Sequence, residues 1–427
     1  MRPLLSKFRL GLGIIATLAL AITLVPAAEA TNGYFTHGYG TIAKALAGAG
    51  VAMPQDTLAA GTNPAGLAFL GKRYDIGVSV FSPTRSYTVE GNPSGFPGTF
   101  PLIPGKIESE SNTFYIPQFG ANWQLDASNF LGFVVYGHGG MNTDYPTATF
   151  HASQPTGVNL EQLFVGVPWS YKYSDQHAFS IMPIFVYQTF EAQGVGSFAP
   201  FSSAPTKLSN NDASTSTGYG AKIGYMGQWS KKFSVGASYQ TEMKMGEFDD
   251  YAGLFAEQGG FNVPSTWTVG FAVKPTPSWA FLMDLQKMYY SDIRSVSNPF
   301  LPNLQEARLG DDNGAGFGWE DMDVVKIGLQ YDTLNSWVWR MGVSVGSQPI
   351  PASEVLFNIV SPGVMEEHVT FGFTRRIGET MGLDFALMYA PEVEVPGPNP
   401  LEFPGAQQIT LAMDQWEISI NYAWGIK

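Results

Sequence analysis

Residues 416–424 alternate apolar Trp416, Ile418, Ile420, Tyr422 and Trp424 with Glu417, Ser419, Asn421 and Ala423. The same period of two runs through residues 73–80, 337–345, 369–374 and 383–389. Successive side chains of an extended strand point to opposite faces, so each segment predicts a strand with one greasy face. About fourteen strand-length segments can be marked, a number within the range of outer-membrane barrels. They begin near Arg73, Asn112, Asn129, Leu160, His177, Thr217, Lys232, Pro264, Ser278, Asp321, Ser336, Glu366, Thr380 and Met413. Short polar turns near residues 126–128, 174–176, 230–231, 275–277, 333–335 and 378–379 alternate with much longer connections. The long ones cover 91–111, 144–159, 192–216, 247–263, 292–320, 348–365 and 392–412. Such alternation is the layout of a barrel with periplasmic turns and extracellular loops. The pattern therefore predicts an all-β membrane fold, an antiparallel transmembrane barrel of about fourteen strands, because closure satisfies every backbone group in a bilayer.

Two segments fall outside the pattern. In residues 1–30, Arg2, Lys7 and Arg9 precede an apolar run, and Ala28-Glu29-Ala30 fits a small-x-small cleavage site. This reads as a signal peptide for export to the outer membrane of a Gram-negative cell, with a membrane anchor as the other reading. Residues 31–71 are too apolar for a solvated tail and too irregular for a strand. They carry helix-like pieces at 42–47 and 55–60, then the turn signal Asn63-Pro64-Ala65-Gly66. The expectation is a plug, or hatch, folded into the lumen of a barrel formed by residues 72–427; a periplasmic extension is the alternative.

Composition narrows the function. The net charge is −13, which argues against nucleic acid as a partner, since phosphates call for Lys and Arg. There is no cysteine, which suits an exported chain. Five histidines show no metal-ligand spacing, no Ser/His/Asp arrangement is readable and no phosphate loop leads into a helix. No cofactor, metal site or catalytic residue is expected.

Two strands break the alternation. In 177–188, Phe179, Ile181, Phe185 and Tyr187 occupy one face, and Met182, Ile184 and Val186 the other. In the third strand, Leu131, Phe133 and Val135 oppose Val134 and Tyr136, and Leu282 adds an apolar residue on a supposedly inner face. A water-filled porin needs a polar lumen, whereas inward apolar side chains make a pocket for greasy cargo or pack against the plug. The third strand then runs into Gly137-His138-Gly139-Gly140. Glycine within a strand marks a bulge or a close backbone approach, unless the strand simply frays there into a loop.

Several motifs occur together in order: Thr31-Asn32-Gly33-Tyr34-Phe35, Gly48-Ala49-Gly50-Val51-Ala52, Asn63-Pro64-Ala65-Gly66, Val263-Pro264-Ser265-Thr266-Trp267 and Ser347-Gln348-Pro349-Ile350-Pro351. In this the mature chain resembles the FadL family of outer-membrane transporters for long-chain fatty acids and other hydrophobic compounds, which includes TodX-like aromatic-hydrocarbon transporters. The resemblance implies a monomeric fourteen-stranded barrel in outer-membrane lipid. Residues Asn63, Pro64, Ala65 and Gly66 belong to its hatch, and Phe35 joins Val134, Tyr136, Met182, Ile184, Val186 and Leu282 along the ligand path. Gly137, Gly139 and Gly140 match the kinked third strand, beside which ligand leaves through the wall. The implied partners are fatty acids or hydrocarbons. Lys44, Arg85, Lys222 and Arg340 are the candidates to hold a carboxylate, and neutral cargo stays open. A general porin, a structural barrel or an outer-membrane hydrolase are the competing readings.

Overall fold

The computed structural model describes residues 32–425; the expected signal peptide lies outside the described residues. Seventeen hydrogen-bonded segments join in one sheet. Three of them, Gly105–Glu108, Trp169–Lys172 and Lys244–Met245, continue longer strands, so the barrel has fourteen. The first seven are β1 (Arg73–Glu90), β2 (Phe114–Gln124, with Gly105–Glu108), β3 (Asn129–Asp144), β4 (Gly157–Gly166, with Trp169–Lys172), β5 (His177–Gln193), β6 (Ser214–Ser230) and β7 (Phe233–Gln240, with Lys244–Met245). The rest are β8 (Thr266–Val273), β9 (Trp279–Met288), β10 (Met322–Asp332), β11 (Trp337–Gly346), β12 (Glu367–Ile377), β13 (Met381–Pro398) and β14 (Gln408–Trp424). Each pairs antiparallel with its neighbour in sequence, and β1 pairs with both β2 and β14. The pairing of β1 with β14 closes the barrel, as a sheet in a bilayer must close to satisfy its backbone groups.

The alternation seen in sequence sorts side chains between the two faces. On β5, Phe179 is 52% exposed and Phe185 51%, while Met182 between them is fully buried. Tyr74, Trp123 and Trp424 meet at the short-turn rim, with the Tyr74 and Trp424 rings stacked 5.4 Å apart. Trp337, Trp339 and Phe373 group at the same rim. Aromatic side chains with one wet end belong at a membrane interface.

Several boundaries differ from expectation. β4 starts at Gly157 instead of near Leu160, β6 at Ser214 instead of near Thr217, and Gly105–Glu108 pairs as strand within the connection expected at 91–111. β14 starts at Gln408 instead of near Met413, so with β13 running to Pro398 the connection expected at 392–412 shrinks to 399–407. Glu392, Glu394 and Pro396 read as loop residues. They lie on strands that project past the apolar belt, and the register shifts between Ala390 and Val393 to accommodate them.

The N-terminal segment fills the lumen. It holds one helical turn, α1 (Thr41–Lys44), and two 3-10 turns at Thr57–Gly61 and Pro64–Phe69. The expected turn at Asn63 is the start of the second 3-10 element. The Asn63 side chain accepts from Ala65 N at 3.1 Å, and Pro64 takes the first helical position, where its missing N–H costs nothing. An irregular backbone in a lumen needs partners for its polar groups, and inward side chains of the wall supply them. Asp284 accepts from Gly50 N at 2.7 Å and Val51 N at 2.9 Å; Asp75 accepts from Thr57 N at 3.0 Å. Ser234, Ser238 and Ser170 donate to the carbonyls of Ala52, Thr62 and Pro64. Lys44 forms a buried ion pair with Glu417 on β14, and Thr41 Oγ1 lies 2.7 Å from Ser419 Oγ.

Candidate functional site

The wall is interrupted between β2 and β3. β3 pairs with β2 only from Phe130 to Val135, against Gln124 to Phe119. From Tyr136 onward, β3 has no β2 partner, although residues 114–118 of β2 stay paired to β1. Contact resumes above the interruption, where Glu110 N donates to Asp144 O at 2.8 Å and Asp144 N to Ser109 Oγ at 2.9 Å. The lapse therefore bounds a window facing Tyr136–Thr143.

The N-terminal segment takes the place of β2 within that window. Thr36 N donates to His138 O and Gly140 N to Tyr34 O, both at 3.0 Å, and Phe35 bridges to Gly139. On its other side β3 keeps its pairing to β4 but slips by one residue between Gly137 and Gly139, a bulge at His138. The expected glycines lie inside the strand and do not fray into a loop. Gly139 is required: a Cβ there would collide with the carbonyl oxygen of Tyr34. The bulge sends His138 inward, where Nδ1 is 2.8 Å from Tyr39 Oη and the ring stacks on Phe164 at 3.9 Å.

Of the residues expected to line a ligand path, Phe35, Val134, Tyr136, Met182, Ile184 and Val186 are buried in one continuous apolar cluster beside this window. Leu282 is separate. It packs with Leu46, Ala49, Val51 and Met53 of the N-terminal segment, because β9 faces the opposite side of the lumen filling. Asn63 donates to Val51 O at 2.8 Å and Tyr225 O at 2.9 Å, Ala65 packs on Phe130 and Met226, and Gly66 abuts Pro54. Above the window, rings run from the loops to the N-terminal segment: Tyr251 to Phe190 (4.8 Å), Phe190 to Phe255 (4.5 Å), Phe255 to Phe261 (5.0 Å) and Phe261 to Tyr34 (5.9 Å).

The candidate cations differ in their company. Lys44 is paired with Glu417, and Lys222 donates to Gly61 O. Arg340 is held by Gln330, Thr374 and Gln55 at 2.7–2.9 Å. Within the N-terminal segment, burial, with the Lys44 and Lys326 ammonium groups nearby, holds the His37 imidazole well below its usual value. Burial, with the Asp75 carboxylate close by, pushes the Asp56 carboxyl up to about 7.

Sequence reasoning missed Pro117. A proline cannot donate to a ladder and is unusual in a strand flanked on both sides. Pro117 sits in the part of β2 that faces the window. That was the available signal that pairing lapses there.

A closed antiparallel barrel, filled by its own N-terminal segment and interrupted at a bulged third strand, defines a plugged outer-membrane transport barrel. Residues 18–397 match the family described as outer membrane protein transport protein (OMPP1/FadL/TodX), and the chain belongs to that family. Solved structures share its fold. The P. putida toluene transporter TodX aligns with a TM-score of 0.68 at 18% identity, covering 91% of this chain and 98% of that one. A Pseudomonas aeruginosa FadL homologue gives 0.67 at 13% identity (92% and 100% covered), and the Ralstonia pickettii toluene transporter TbuX 0.63 at 17% (92% and 99%). No curated protein matches the chain in sequence.

Proposed function

We propose that this protein admits hydrophobic molecules, long-chain fatty acids or compounds like them, by passive diffusion, as a transporter and not as an enzyme. In this reading residues 1–30 are cleaved on export and residues 31–71 act as the hatch. Cargo enters among the extracellular loops, follows the aromatic series toward Tyr34 and meets the apolar cluster of Val134, Tyr136, Met182, Ile184 and Val186. It leaves sideways between β2 and β3 beside Gly137, Gly139 and Gly140.

The observation that carries the reading is the exchange of partners on β3. Where its ladder to β2 lapses, the bonds go to a segment that is not part of the wall. Withdrawing Tyr34–Thr36 uncovers the lapse without breaking any strand–strand bond. Burial of an acyl chain in the lumen supplies the driving force, at roughly 25 cal/mol per Å² of apolar surface. The filled lumen also separates this reading from a general porin, which needs a continuous polar passage.

Two measurements test it. Cells producing the protein should take up labelled oleate or toluene faster than cells lacking it. The purified barrel should show little steady ion conductance in a planar bilayer. Large, steady conductance without hydrophobic uptake would leave the porin reading standing in its place.

A further inference from the structure

Arg85 is the one cation of the lumen candidates left short of partners. It sits on β1, facing inward and 4% exposed. Its Nη1 donates to Asn142 O at 2.7 Å, reaching past β2 to β3. Its Nε and Nη2 have no partner among the described residues. The guanidinium lies 5.5 Å from the centre of the Phe114 ring, an apolar neighbour that offers no hydrogen-bond acceptor.

Nε and Nη2 form one edge of the guanidinium, two parallel N–H groups spaced to match the two oxygens of a carboxylate. The same strand shows that match completed. Arg73, also facing inward on β1, turns this edge to Asp75 at 2.8–3.1 Å. The Lys and Arg ion pairs among the described residues engage Lys44, Arg73, Lys172, Lys287, Arg294 and Arg376, and none engages Arg85. A buried charge with open donors is costly unless an opposite charge meets it.

Arg85 lines a cavity at the window, with Gly33, Gly140, Asn142, Trp319 and Met413 among its neighbours. About 20 Å³ there can hold the centre of a water molecule, room for one or two waters. Two of its walls are the start of the N-terminal segment and the bulged strand. Gly33 and Gly140 line it from those two sides, so the cavity adjoins the place where the N-terminal segment meets the lapse in the wall.

From these observations we infer that Arg85 is an anion-binding residue at the lateral window, the residue that makes this barrel prefer a carboxylate-headed chain to a neutral one. The inference rests on the uptake reading above and deepens it. The carboxylate engages Nε and Nη2, while the chain extends into the apolar cluster of Tyr136 and Val134. Neutral hydrocarbons lack the group that Arg85 selects.

The test compares labelled oleate with labelled oleyl alcohol, which share one chain, on the full-length barrel in uncharged detergent. Wild type should bind oleate roughly tenfold or more tightly than the alcohol, as a charge-assisted pair requires. In Arg85→Gln the preference should vanish, with oleate falling to the affinity of the alcohol, and Arg85→Lys should keep part of it. Equal affinities in wild type overturn the inference, and so does a preference that survives in R85Q. An equal loss of both ligands in folded R85Q also overturns it, by marking Arg85 as structural. If R85Q does not assemble, the wild-type ratio and R85K decide the matter. Wild type that binds neither ligand overturns the uptake reading itself, a result distinct from the others.

Discussion

The backbone N–H of Gly140 donates to the carbonyl oxygen of Tyr34 at 3.0 Å, joining the bulged strand of the wall to the segment inside it. The bond is the point where plug and wall share one ladder, so substitutions beside it should act on transport before they act on folding.

Gly139→Val places a branched side chain against the Tyr34 carbonyl, in space that the structure does not provide. The remainder of β3 stays paired to β4 on its other side. We expect an assembled barrel with faster hydrogen exchange at Tyr34–Thr36 and oleate uptake reduced several-fold. Wild-type uptake in a folded G139V barrel would remove this site from the path.

Thr41 Oγ1 and Ser419 Oγ stand 2.7 Å apart, one on the plug and one on β14. The chain has no cysteine of its own, so Thr41→Cys with Ser419→Cys offers a single possible bridge. Oxidised, the double variant should lose uptake, and a reductant should restore it. Unimpaired uptake with the bridge verified by mass spectrometry would show that the plug need not move at α1.

Lys44 and Glu417 pair in the buried interior, and breaking such a pair from one side costs about 3–5 kcal/mol because the other charge is stranded. Lys44→Met should therefore loosen the plug, seen as faster hydrogen exchange over residues 41–50. Adding Glu417→Leu should recover much of the loss. Equal exchange in K44M and wild type would mean that the pair holds nothing.

Asp56 caps the first 3-10 turn through Ala59 N at 2.8 Å, and burial pushes its carboxyl up to about 7. A carboxyl raised in the docked state binds its proton more tightly there than in the undocked state, so docking is favoured at low pH. That stability is fully present below the ordinary carboxylate value and is lost as pH rises through about 7. Protection factors of residues 56–62, exchange rates corrected for the intrinsic rise with pH, should fall between pH 5 and pH 8. Asp56→Asn keeps an oxygen for the cap and should flatten the profile.

Much of this was legible along the chain. The starts of β1, β3 and β5 coincide with the expected Arg73, Asn129 and His177, because a strand with one face in lipid must alternate and a short turn must break that alternation. The inward set of Met182, Ile184 and Val186 followed from the same parity. The window was half legible. Glycines at 137, 139 and 140 marked a bulge, but the loss of pairing to β2 is a relation between two strands, and Pro117 was its only trace in one of them. Leu282 had the right parity, yet parity does not say which neighbour lies across the lumen.

The sequence by itself determined the barrel, its strand order and which faces meet lipid, since those depend on period and turn chemistry, both local properties. Tertiary structure alone decided that Tyr34–Thr36 stands in for β2 beside β3. It also decided that, of Lys44, Arg85, Lys222 and Arg340, Arg85 keeps two donors open. Partners for a buried charge come from distant parts of the chain, and only folding brings Glu417 to Lys44 while leaving Arg85 with the carbonyl of Asn142.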